Sequence, residues 1–404
     1  MGLLSEIFKN KTVDNHYLIS LDIGTEIAKA LVFYIDPEKK KVVIVGVGEE
    51  FHKSGNVHGS VILSEDGIIS TCGKAINKAK KMAGISLKSK KQIRVIIGVS
   101  GELAKVKTEI FSYKRKNQKS KIGQSELRDI TRKAKQKIFK SVEREIARKN
   151  GNDKKRKVEF IGIDISEIKI NGYKVTDILD FKGDRIEMAV YGIYMFASNF
   201  NIIKNVSDSL NLSLLNIIYN PYAVVKSVVI QNRTGSNAIF IDIGGSITDI
   251  ALEKNRNIED VKTFVLGGRM FIEKTPNDDS SESDENEKNK NIESNLGNIR
   301  KTEEKEKDCF NCNLWISGIE LSLKEFSKSR LLPADIFVYG GGSQIPEIAG
   351  SLNELLSMKN LPFDSKPKIK FICPKDITNV IDQTGKLVGP RDITPMSIAA
   401  SAVN

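Results

Sequence analysis

The 404-residue chain has little of what builds covalent or metal frameworks: four cysteines, three histidines and one tryptophan. Four cysteines cannot staple a chain of this length, so a disulfide scaffold is excluded and a reducing, cytoplasmic setting is expected. Cys309 and Cys312 have the spacing of half a zinc site, but no second cysteine or histidine pair accompanies them. No apolar run reaches the roughly 18 residues that a membrane-crossing helix needs. The apolar stretch within Met1–Lys9 is too short for a secretory signal.

Charge of one sign is unevenly distributed. The net charge is +12, yet residues 105–157 alone hold 20 Lys/Arg against 6 Asp/Glu. Residues 273–308 hold 12 acidic against 7 basic residues. A basic region attracts nucleic acid, anionic lipid or acidic partners. Only Phe111, Tyr113 and Phe139 interleave it, which is poor for stacking on single strands, so nucleic acid is not the expected partner. A solvated helical face accounts for the same charge. The run Pro276–Glu285 is almost wholly Asp, Glu, Ser and Asn, a composition that cannot bury enough apolar area to fold. Residues 1–16 form a tail in which Leu3, Leu4, Ile7 and Phe8 share one helical face.

The informative pattern is a repeated hairpin. Leu18–Leu31 and Ile239–Leu252 each read as an apolar strand ending in Asp, a small-residue tip and a second apolar strand. The first carries Asp22, Gly24 and Thr25; the second carries Asp242, Gly244, Gly245 and Ser246, followed by Thr248 and Asp249. Glycines let backbone N–H groups approach an anion, and a neighbouring carboxylate can hold Mg²⁺ through water. A third glycine turn, Gly340-Gly341-Gly342-Ser343, lies downstream before an apolar helix.

Between these motifs the periodicities predict a helix over 67–84 and a buried strand over 94–100. A capping box at Gln124-Ser-Glu-Leu opens a helix running to about Arg148. Strands are expected at 158–170, 173–181 and 185–194, with Asn171-Gly172 as a hairpin turn. A helix at 198–211, a strand at 214–219 and a helix starting at Pro221 follow.

The triple pattern resembles the actin-like ATPase superfamily, which includes sugar kinases, MreB and FtsA. The resemblance implies an α/β, two-lobed, duplicated ribonuclease H-like fold. The segment Glu167–Val190 looks like the SHS2 (1C) subdomain of FtsA, the bacterial division protein that ties FtsZ to the membrane. Gly55–Ile62, Tyr219–Val225 and Leu332–Pro346 also resemble FtsA segments. PilM, of type IV pilus assembly, carries the same insertion. The implied organisation is a tail at 1–16, lobe 1 at 17–101, SHS2 at 102–194, and a return to lobe 1 at 195–234. Lobe 2 then occupies 235–272 and 311–404, with 273–310 a disordered replacement for most of subdomain 2B.

The resemblance implies ATP and Mg²⁺ as ligands. Asp22 and Asp242 would flank the metal through water. Gly24, Thr25, Gly244, Gly245, Ser246 and Thr248 would face the phosphates, although Thr248 has a structural alternative. Gly340, Gly341, Gly342 and Ser343 would lie against the adenosine. Lys29 is expected to face solvent. Asn220 stands where a water-positioning acid or amide is wanted, so weak hydrolysis or none is expected. A small-molecule kinase of the same fold would need a catalytic base between the lobes, and none is found in the expected places.

The implied role is a cytoplasmic adaptor at the inner membrane face, bound to the FtsZ C-terminal peptide and other division proteins, with self-association open. The alternative is a PilM-like platform bound to the tail of a pilus inner-membrane protein. Residues 3–8 and the basic region 105–157 are the expected membrane contacts.

Overall fold

The computed structural model describes residues 17–53, 55–59, 61–86, 92–149, 157–229, 237–271, 305–328, 331–355 and 360–403. The amphipathic tail expected at 1–16, and residues 273–304 of the expected acidic segment, lie outside the described residues.

The chain opens with a meander: β1 (Leu18–Ile23), β2 (Ile27–Asp36) and β3 (Lys41–Phe51). A two-residue pair, β4 (Val57–His58) and β5 (Val61–Ile62), leads into helix α1 (Glu65–Met82). The helix begins where Ser64 Oγ accepts the Gly67 amide at 3.1 Å. Glu65 and Asp66 complement its positive end, and Lys80 and Lys81 its negative end. Its stripe of Ile68, Cys72, Ala75, Ile76 and Ala79 is buried. The helix lies so close to β3 that Gly46 and Gly48 are required there: a Cβ would fall 2.2 Å from Ala79 O and 2.0 Å from Ala75 O respectively. Strand β6 (Ile93–Val99) then pairs parallel with β1.

An inserted module follows, built from β7 (Ala104–Lys114), α2 (Gln124–Lys149), β8 (Val158–Ile170), β9 (Tyr173–Val175) and β10 (Arg185–Phe196). Its sheet has the order β7-β10-β8-β9. Ile130, Ala134, Ile138 and Val142 recur every four residues on α2 and are fully buried. Asn171 and Gly172 both have positive φ, as the tight hairpin between β8 and β9 requires.

Two expectations change here. Glu126 does not close a capping box; both its oxygens accept from Arg115, Nε and Nη2 at 2.8 Å each. The strand expected over 173–181 stops at Val175. Beyond it Ile178 turns into the module core, and Asp180 and Phe181 exchange backbone hydrogen bonds with Ile122 at 3.0 and 2.9 Å.

The chain returns through α3 (Ala197–Ser209), β11 (Leu212–Tyr219) and α4 (Asn220–Ser227). The second half then repeats the first: β12 (Asn237–Ile243), β13 (Thr248–Lys254) and β14 (Asn257–Phe264) form a meander. Helix α5 (Lys305–Ser327) starts at Lys305, so the last six residues of the segment 273–310 expected to be disordered are helical. It is followed by β15 (Asp335–Tyr339), α6 (Pro346–Leu355), β16 (Lys368–Phe371), β17 (Val380–Asp382) and α7 (Ile393–Ala400).

The sheet orders are β11-β6-β1-β2-β3-β17 and β14-β13-β12-β15-β16. In both, an antiparallel meander is extended beyond its first strand by two parallel strands. The duplication is therefore topological, not confined to the two short motifs. Helices α4 and α7 pack on each other and share one buried core with residues from both sheets, including Leu18, Phe33, Phe240 and Tyr339.

The C-terminal residues do not all belong to the second lobe, as their place in the sequence suggests. Strand β17 pairs parallel with β3 on the edge of the first sheet, and α7 packs against β1 and β2. The mean hydropathy of α7 is high on all faces and every residue of it is buried, which fits a helix held between layers.

Candidate functional site

The two repeated hairpins bring their tips together. Each tip is closed in the same way: the Gly24 amide donates to Ile27 O at 3.1 Å, and the Gly244 amide to Ile247 O at 2.9 Å. Those two amides are committed within their own turns, which corrects the expectation that Gly24 and Gly244 donate them to phosphate. A Cβ at Gly24 would lie 2.8 Å from Ile27 O, so the tight turn itself demands glycine there.

Across the gap the Ser246 amide donates to Thr25 Oγ1 at 3.1 Å, and Ser246 Oγ donates to Glu26 Oε1 at 2.5 Å. Glu26 Oε2 also takes an ion pair from Arg269 Nη2. The second tip is braced from behind, where Gly268 N donates to Gly244 O at 2.9 Å and Arg269 N to Gly245 O at 2.8 Å.

Beneath the tips lie Asp22 and Asp242, each half-buried at the end of its strand. Burial pushes the Asp22 carboxyl up to about 6, while Lys29 and a hydrogen bond from Asn220 pull it back. Burial also raises Asp242 well above the carboxylate range, and repulsion from Asp249 and Asp22 adds to it; Thr394 and Lys29 oppose the rise. Asp242 thus feels Asp22, and both lie within reach of the Lys29 ammonium. Among the described residues no three His, Cys, Asp or Glu side chains gather to hold a metal directly. A pair of carboxylates that resist sharing negative charge fits a hydrated divalent cation, which relieves that repulsion without a full protein cage.

Asn220 lies at the start of α4 with Nδ2 2.9 Å from Asp22 Oδ1. Its own Oδ1 is buried with no partner among the described residues. The carboxylate dictates this orientation, since only the amide NH₂ can donate to it. The orphaned oxygen lies against Gly98, where a Cβ would stand 2.3 Å from it.

Three expectations are corrected by burial. Lys29 does not face solvent: it is 5% exposed, with Nζ 2.9 Å from Arg391 O, 3.3 Å from Asp392 Oδ1 and 3.5 Å from Glu49 Oε1. It stands opposite Asp22 in the β1–β2 register, where both faces of the strand are covered. Thr248 is fully buried and structural, donating to Leu266 O at 2.8 Å and accepting from Trp315 Nε1 at 3.0 Å. In the third turn Ser343 Oγ folds back on Gly340 O at 2.7 Å.

Gly340 has φ +90°, and a Cβ there would meet Asp242 Oδ1 at 2.3 Å. Gly342 is buried against Ile243, where a Cβ would lie 2.7 Å from Cγ2. These two glycines seat the turn on the strand bearing Asp242. Gly341 is exposed and remains open to a ligand.

Glu26 and Arg269 join the site without a motif to mark them, and Lys29 lies inside rather than at the surface. A lysine inside the run Ala28–Val32, which has the look of a strand covered on both faces, was the available signal for Lys29. Nothing local marks Glu26 or Arg269, because their meeting depends on two turns 220 and more residues apart coming into contact.

FtsA of Streptococcus pneumoniae is 25% identical to this chain over 258 residues, 62% of this chain and 50% of that protein. FtsA of Enterococcus hirae is 22% identical over 257 residues, 62% of this chain and 52% of that protein. The chain spans about half the length of the curated relatives it matches. In three dimensions it is similar to a chain of the PilM-PilN type IV pilus biogenesis complex, with a TM-score of 0.61 and 12% identity, covering 97% of this chain and 100% of that one. No family model matches. The chain is FtsA-like in sequence and has the two-lobed actin-like ATPase fold. That fold is what the duplicated sheets and facing hairpins describe, with the four-stranded module inserted after β6.

Proposed function

We propose that this chain is a nucleotide-binding adaptor of the FtsA type. Mg-ATP would sit between the hairpin tips and fix the angle between the lobes, while the inserted module presents a surface to division partners. The observation that carries the reading is the meeting of the two mirrored tips above Asp22 and Asp242. A bound Mg²⁺ supplies positive charge that screens the phosphates from these carboxylates. Asp22 and Asp242 would hold its waters, Thr25, Gly245 and Ser246 would bind phosphate once the tips part, and Gly341 would lie beside the adenosine. Asn220 has no acidic group with which to accept a proton, so hydrolysis is expected to be slow or nil. Nucleotide then acts as a conformational ligand, through its differential affinity for open and closed lobes.

Under this reading the partners are the FtsZ C-terminal peptide and other division proteins. The membrane contacts are residues 3–8 and the basic region 105–157. The part of that region on β7 and α2 lines an open groove with Lys114, Lys133, Lys137, Lys140 and Arg144, a setting for acidic groups. A PilM-like platform role is the second reading, favoured by the match along the whole of the pilus protein chain.

Thermal unfolding with and without Mg-ATP tests the ligand, and an upward shift that grows with concentration is expected. Pull-down with an FtsZ C-terminal peptide against the cytoplasmic tail of a pilus inner-membrane protein separates the two roles. Capture by the pilus tail alone would replace the division reading.

A further inference from the structure

Glu26 belongs to the first hairpin tip, yet its carboxylate is bound by the second. Ser246 Oγ donates to Oε1 at 2.5 Å and the Arg269 guanidinium pairs with Oε2. The stem of the side chain lies flat on Gly245, where a Cβ would stand 1.9 Å from Glu26 Cγ. Arg269 is aimed by its own backbone bond to Gly245 O, at 2.8 Å. A hydroxyl, a guanidinium and a side-chain-free backbone surface are the elements that cradle a phosphate. Here they already hold an anion, and it is attached to the opposite lobe.

We propose that Glu26 is the specificity-determining residue of the cleft: its carboxylate takes the place of a terminal phosphate, so the site accepts a Mg-nucleoside diphosphate in preference to the triphosphate. The inference rests on the nucleotide-binding reading above. A third phosphate would have to displace the carboxylate from Ser246 and Arg269, or else sit beside it with like charge. A diphosphate lacks the phosphate that would compete with the carboxylate, so the contact between Glu26 and the second hairpin stays in place. The tip-to-tip contact and the shorter nucleotide therefore favour the same closed arrangement of the lobes, and the triphosphate favours the open one.

The test is calorimetric titration of the full chain with Mg-ADP and Mg-ATP, for the wild type, Glu26→Gln and Arg269→Gln. Glutamine keeps the shape of Glu26 and can still bond Ser246 Oγ, but carries no charge. The wild type is expected to bind Mg-ADP at least about tenfold more tightly than Mg-ATP. Glu26→Gln should bring the two within about threefold, mainly by improving Mg-ATP. Arg269→Gln, which leaves the Glu26 charge without its partner, should widen the preference. Both variants are checked for the wild-type circular dichroism spectrum, and either one alone decides the direction. Binding of both nucleotides with a ratio unmoved by the substitutions, or a wild type that prefers Mg-ATP, would overturn the role of Glu26 and leave the nucleotide reading intact. No binding of either nucleotide by any of the three proteins would overturn both.

Discussion

Lys29 Nζ lies 3.3 Å from Asp392 Oδ1, 363 residues further along the chain. Asp392 is 1% exposed and also accepts the Val388 and Gly389 amides at 3.0 Å each. The first hairpin is thereby tied to the start of α7, the helix shared by both lobes. Lys29→Met leaves the buried Asp392 carboxylate with only the more distant Arg391 Nε, 3.8 Å from Oδ1, and should cost about 3 kcal/mol in urea denaturation. Adding Asp392→Asn should recover part of that loss, because the poorly compensated charge is then gone.

Asp242 sits where burial, Asp249 and Asp22 all disfavour its charge. Asp242→Asn should therefore leave the nucleotide-free chain as stable as the wild type or more so. The same substitution should abolish most of the melting-temperature rise produced by Mg-nucleotide. Opposite signs in the two measurements distinguish a ligand-binding carboxylate from a structural one; a large loss of stability without ligand would show that the group is structural.

The Arg115 side chain is fully buried and pairs with Glu126, whose carboxylate is held below the usual range chiefly by that hydrogen-bonded pair. The same guanidinium donates to Ser120 O at 3.1 Å and Gly183 O at 3.0 Å, so it fastens two loops of the inserted module. A depressed carboxylate contributes stability that is present above its unfolded value and is lost as pH falls through its folded one. Glu126→Gln should thus destabilise at neutral pH by about 2 kcal/mol, the scale of a hydrogen bond to a charged group. Lowering the pH through the range below its unfolded value, in which the wild-type carboxylate takes up its proton, should narrow the gap between the two proteins.

Gly48 faces α1 so closely that a Cβ would fall 2.0 Å from Ala75 O and 2.6 Å from Ala79 N, both of them backbone. Neither atom can move without shifting the helix. Gly48→Ala should cost about 3 kcal/mol, at the upper end of overpacking penalties. Gly172→Ala offers the contrast: there φ is +87° but no atom lies within 4 Å, so backbone strain alone acts and a loss of about 1 kcal/mol is expected.

What was legible in the chain was whatever local rules write. Both hairpins, helix α1 with its Gly84 stop, the long helix from Gln124 and the Asn171-Gly172 turn follow from periodicity, caps and turn chemistry, all of which act within a few residues. The pairing of two Asp-ending hairpins could be inferred as well, because a duplicated motif implies a duplicated lobe.

Only the tertiary structure decided which charges meet. The partners of Lys29, the crossing of Glu26 to Ser246 and Arg269, and the return of β17 to the first sheet all join segments hundreds of residues apart. Such contacts arise when two lobes close on a shared pair of helices, and their energies depend on burial and distance, which no local pattern records. Periodicity told which residues would be inside; packing determined that a lysine would be among them and that a glutamate would stand where a phosphate is expected.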